Sequence, residues 1–140
     1  MNLSFRCKHI RLEGGAVVKE PIIPVTLSGT NGINLNFTAI LDSGSDFVLI
    51  PSEVADAIGL EYDKQKSEIA HTYTGDLITT ANSKVRVKIQ KAREQGFFEC
   101  VCAVLLSEKK QHENIIFGSS FFNHFKIIFD YPNNRFQIRK

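Results

Sequence analysis

Phe37-Thr38-Ala39-Ile40-Leu41-Asp42-Ser43-Gly44-Ser45, continued by Asp46 and the apolar run Phe47-Val48-Leu49-Ile50, decides how this sequence reads. Ile33, Leu35, Phe37, Ala39 and Leu41 alternate with mostly polar neighbours, the period of a half-buried strand. Ile40 breaks the polar face just before Asp42, as expected where a strand enters the core. Gly44 lets the backbone turn sharply, and Phe47 to Ile50 continues as a short buried strand. An aspartate at the end of a buried strand is expected in surroundings that disfavour its ionised form. Such a carboxylate is either a structural cap or an acid/base group. Asp, Ser and Gly all favour turns, so the triplet alone leaves an ordinary turn open. A phosphodegron would want a second serine where Phe47 stands, and the apolar flanks argue for burial.

Upstream, Ile22 to Leu27 is separated from the Asp42 strand by Ser28-Gly29-Thr30-Asn31-Gly32, a stretch rich in hairpin-turn residues. Downstream, Pro51 to Gly59 predicts a short helix, begun by Pro51 or Ser52, with acidic residues early and Gly59 ending it. A polar loop from Glu61 to Glu68 leads to a hairpin turn at Thr72-Tyr73-Thr74-Gly75-Asp76. Val85, Val87 and Ile89 alternate again. Phe97 to Leu106 is apolar on both faces apart from Glu99, as suits a central strand. A polar loop over 107–114 precedes Ile115-Ile116-Phe117-Gly118 and a short helical stretch, Ser119 to Phe125. Ile127-Ile128-Phe129, a turn at Asp130 to Asn134, and Arg135 to Arg139 close the chain. Short strands, frequent turns and one or two brief helices predict an all-β, closed β-barrel-like fold.

The 140 residues are expected to form one domain, 1–140, large enough to bury a core. Net charge is +2, with 17 basic and 15 acidic residues spread along the chain, and no basic block points to nucleic acid. Lys84, Arg86 and Lys88 read as a solvated strand face. The N-terminus lacks the apolar core of a signal peptide, and no run approaches the ~20 apolar residues of a membrane span. A cytoplasmic protein without a membrane partner is the expectation. The three cysteines do not suggest a disulfide framework. Cys100 and Cys102 would share one strand face as buried thiols. The histidines at 9, 71, 112 and 124 supply no obvious second ligand pair for a Cys-x-Cys clamp, so no metal is expected, and no cofactor.

In its apolar frame, Asp42-Ser43-Gly44 resembles the active-site signature of aspartic proteases. Ile115-Ile116-Phe117-Gly118 and the helical stretch after it look like the segment that packs beside the active-site loop in that family. The hairpin around Thr72 to Asp76 lies where the family carries its substrate-covering flap. The resemblance implies the acid-protease fold, with a single retropepsin-like domain. Two-lobed pepsin-like enzymes supply two such triplets from a chain about twice as long, whereas this sequence has one. A homodimer of the retroviral type is therefore implied, with the site on its two-fold axis. Retroviral members carry an arginine after the second glycine, paired with the aspartate two residues beyond the catalytic glycine. Here Ser119 stands at that place, so Asp46 either finds another cation (Arg6, Arg11, Lys126 or Arg135) or binds substrate backbone directly.

By the same resemblance Asp42 is catalytic, one from each subunit. Two carboxylates within about 3 Å cannot both ionise and share one proton. One acts as general base on a water while the other polarises the scissile carbonyl of a peptide or protein substrate. The resemblance assigns Ser43, Gly44 and Ser45 to the supporting loop, and Asp46, Thr74, Gly75 and Gly118 to substrate binding. Ser43 would hydrogen-bond across the dimer. Ser45 would donate to the outer carboxylate oxygen, holding the dyad anionic and activity on the acidic side. The alternative reading is a catalytically silent, retropepsin-like dimeric domain that binds peptides or partners.

Overall fold

Leu3 and Phe5 alternate along β1 (Asn2–Arg6) and are buried beneath it. The structure, a computed structural model, describes residues 1–71, 75–106 and 114–140. After β1, β2 (Lys8–Arg11) and β3 (Val17–Glu20) pair as an antiparallel hairpin. β4 (Ile22–Ser28) and β5 (Asn34–Leu41) form the expected hairpin, with Ile23 opposite Ala39 and Leu27 opposite Leu35. β6 (Val48–Pro51) runs into the short helix α1 (Ser52–Ala57), where the sequence predicts one. β7 (Glu68–His71), the long β8 (Leu77–Lys91) and β9 (Glu94–Leu105) follow. β10 (Ile115–Phe117), α2 (Ser119–Phe122), β11 (Lys126–Asp130) and β12 (Arg135–Arg139) complete the chain. The polar loop expected over 107–114 lies outside the described residues except for Asn114.

Hydrogen bonding runs β4-β5-β10-β6-β9-β8, and β8 returns to β4, so six strands close a barrel, with β7 added on β8. β1, β12 and β11 form a separate antiparallel sheet that ties the two ends of the chain together. The result is the closed, mostly-β architecture expected from the sequence.

Two apolar clusters explain the strands that are apolar on both faces. Val48, Ile50, Cys102, Val104, Ile115 and Phe117 point into the barrel core. Their alternates Leu49, Ala103 and Leu105 turn outward into a second cluster with Ile78, against which Ile116 and Ala70 pack. Burying one such side chain contributes roughly 1.5–3 kcal/mol, so β6 is held firmly from both sides. Cys7, Cys100 and Cys102 are free and buried. Burial pushes the Cys100 and Cys102 thiols up to about 12, so they are neutral core groups at physiological pH.

The apolar stripe of β5 is only partly used. Ala39 and Leu41 are buried, but Ile33 and Leu35 are 45% and 37% exposed. β10 covers β5 only from Ala39 to Leu41, which leaves its first half on the rim. Phe97 and Val101 also face outward, since the alternate positions Cys100 and Cys102 fill the core. Among the described residues, no helix is long and apolar enough to cross a membrane.

Candidate active site

The Asp42 loop is laced to the strand that follows it in space. β10 runs parallel to β5 and antiparallel to β6, so both ends of the loop are fastened to one short strand. The Asp42 amide donates to the Phe117 carbonyl at 3.0 Å, the Gly118 amide to Phe47 O at 3.1 Å, and the Ser119 amide to Ser45 O at 2.9 Å. A side chain at Gly118 has no room: a Cβ there would lie 2.2 Å from Ser45 O and 2.6 Å from Phe47 O. Behind it, α2 is anchored by the buried Phe121, whose ring packs 4.9 Å from Phe117 and 5.2 Å from Phe125.

Within the loop, Asp42 Oδ1 accepts the Gly44 amide at 2.9 Å, and the Ser45 amide donates to Asp42 O at 3.1 Å. The turn and the carboxylate orientation are therefore set together. The expectation of burial at Asp42 is corrected. Leu41 is the last buried residue of β5, while Asp42, Ser43 and Gly44 are exposed on an open face of the single chain. Ser43 has no side-chain hydrogen bond among the described residues.

The role expected for the Ser45 hydroxyl is also corrected. It donates to Phe47 O at 3.0 Å rather than to Asp42, because the tight loop brings that carbonyl within its reach. Asp46 is exposed and has no ion pair among the described residues. Of its four candidate partners, Arg135 instead meets Asp130 at 3.2 Å.

A cavity of about 260 Å3 opens over the loop, with Asp42, Gly44, Ser45, Asp46 and Phe47 on its wall. Leu49 and Ile116 form part of its apolar floor, and the β7–β8 hairpin supplies Ala70, His71, Ile78 and Thr80. The sequence reading missed these hairpin and floor residues. The hairpin residues flank the Gly75 turn, and the floor residues are the outward alternates of two continuous apolar runs. Gly118 lies buried under the loop rather than on the wall of this cavity, packed closely against the backbone of Ser45 and Phe47. Thr74, with Thr72 and Tyr73, lies outside the described residues.

His71 pairs with Leu77 across the hairpin, and Gly75 in the connection has φ +87°. This left-handed backbone favours glycine. Gly75→Val is expected to lower kcat/KM about tenfold through a stiffened, displaced hairpin, with a smaller effect on stability. Unchanged kinetics, or a lowered melting temperature as the sole effect, would remove the hairpin from the reaction.

No group of three or more His, Cys, Asp or Glu among the described residues is placed to hold a metal ion. The arrangement offers an exposed carboxylate of fixed orientation, an apolar trough beside it, and a hairpin along the trough. A family model described as aspartyl protease matches residues 23–121. No curated protein matches the chain. Among solved structures, a retropepsin-like aspartic protease from Rickettsia conorii aligns over 99% of this chain and 92% of that chain. The TM-score is 0.52 at 17% sequence identity, a likeness of fold.

Proposed function

The chain belongs to the aspartyl protease family, and from that membership we propose that it is an endopeptidase whose catalytic centre is built from two Asp42 residues, one per subunit of a homodimer. The observation that carries this reading is the orientation of Asp42. Its carboxylate is held by the Gly44 amide at 2.9 Å, yet it stays exposed beside the cavity on an open face of the chain. The sequence holds a single Asp-Ser-Gly triplet, so a second carboxylate is supplied most simply by a second copy.

In the dimer the two Asp42 side chains share one proton, because two like charges a few ångströms apart cannot both persist. The ionised member takes a proton from a water held between them while the protonated member hydrogen-bonds to the scissile carbonyl. Water oxygen adds to the carbonyl carbon, a proton passes to the amide nitrogen, and the C–N bond breaks. The dyad ends with one proton, ready for the next turnover. The Gly44 amide holds the carboxylates in place, and the Gly118–Ser119 backbone holds the loop. The substrate backbone lies extended beside the hairpin, where pairing with a strand edge suits an unfolded peptide.

Specific activity is expected to fall on dilution below the dimer dissociation constant. Adding excess Asp42→Asn chains to wild-type chains should poison activity, because mixed dimers hold only one ionisable dyad member. Activity that is independent of concentration, from a monomer identified by light scattering, would overturn the reading. A protein that binds extended peptides as a dimer but cleaves none would instead match the silent-domain alternative, for which Ser119 in the arginine position leaves room.

A further inference from the structure

Resting on this endopeptidase reading, we propose that the cleft selects peptides carrying a lysine or arginine side chain next to the cleaved bond, with the cation on Asp46 and its stem over Phe47. Three features of the loop and cavity converge on that chemistry. Asp46 is exposed, lines the cavity and has no cationic partner among the described residues. Ser119, a neutral residue, donates its backbone amide to Ser45 O and places no charge beside the loop. Phe47 follows directly, 46% exposed on the same wall, although large aromatic side chains favour burial.

An exposed aromatic residue adjacent in sequence to a carboxylate that has no cationic partner among the described residues suits a long cationic side chain. The ring attracts the cation through its quadrupole, and the methylene stem lies along apolar surface while the charged head reaches the carboxylate. Leu49, Ile78 and Ile116 extend that apolar surface along the cavity. An acidic substrate side chain would meet Asp42 and Asp46 together. The basic-capable group on the described wall is His71, which lies in the hairpin rather than in the loop.

The test is a set of labelled peptides, identical except for Lys, Arg, Gln, Met or Glu at each position flanking the cleaved bond. Cleavage by the wild-type protein and binding by fluorescence anisotropy are measured in parallel. An exposed ion pair and a cation–π contact together predict a preference of about tenfold for Lys or Arg over Gln at one position. The Lys-to-Gln ratio should fall to about one in Asp46→Asn and shrink in Phe47→Leu, whatever the absolute rates of the variants. A wild-type ratio near one, or a ratio kept in Asp46→Asn, overturns the inference, and so does a uniform loss on all peptides, which would make Asp46 a backbone contact. Selective binding without cleavage would uphold the cation site and refute the endopeptidase. Cleavage without selectivity would do the reverse.

Discussion

Asp42→Asn is expected to lower kcat by about a thousandfold or more, since general acid and general base catalysis each contribute roughly 10²–10⁴-fold and the substitution removes both from the dimer. Asparagine keeps the shape of the side chain and an oxygen to accept the Gly44 amide, the hydrogen bond that orients Asp42. Asp42 is exposed, so no burial energy is lost. The melting temperature should therefore stay within about 4 °C of the parent, equivalent to less than one ordinary hydrogen bond. Turnover within tenfold of the parent would exclude Asp42 as the catalytic group.

Gly118→Ala is expected to damage stability and activity together. The added methyl would meet two backbone carbonyls, Ser45 O at 2.2 Å and Phe47 O at 2.6 Å, which no side-chain rotation can relieve. Retreat of the segment is opposed by Phe121, fully buried among Phe117, Phe98 and Phe125. The strain falls on the hydrogen bonds from Gly118 and Ser119 that hold the loop. Overpacking of this kind costs about 3 kcal/mol, which would lower the melting temperature by about 10 °C. In the folded fraction the displaced loop should cost about a further hundredfold in kcat/KM, because positioning errors near 1 Å have effects of that size. Thermal melts by circular dichroism, with kinetics well below the transition, check both. A variant with parental melting and kinetics would mean that the Asp42 loop and the Gly118–Ser119 segment can separate freely.

Elements whose signal is local are legible in the sequence. The β4–β5 hairpin, the Asp42 turn, α1 and the Gly118 element each carry their signal within a few residues, in turn chemistry or strict alternation. β1 has the right alternation at Leu3 and Phe5, but its partner is β12, at the far end of the chain, and such pairing leaves no local mark. The β2–β3 hairpin escapes because its residues are mostly exposed and polar, with no buried stripe to give a period. At the site, residue identity pointed to Asp42, whereas the hydroxyl of Ser45 could not be aimed from sequence. Its target depends on where the tight loop places Phe47 O. The cavity floor was hidden for a similar reason. Leu49 and Ile116 look like ordinary core residues until the barrel assigns their alternates to the inside.

Active-site titration decides whether two chains make one catalytic centre. Cleavage of an unstructured protein is followed while pepstatin, an inhibitor of aspartic-protease dyads, is added to a known concentration of chains, with Asp42→Ala as the control. The wild type is expected to cleave, Asp42→Ala is not, and inhibition should be complete at one pepstatin for every two chains. Cleavage that persists in Asp42→Ala, or a titration that ends at one inhibitor per chain, would contradict a centre shared by two chains.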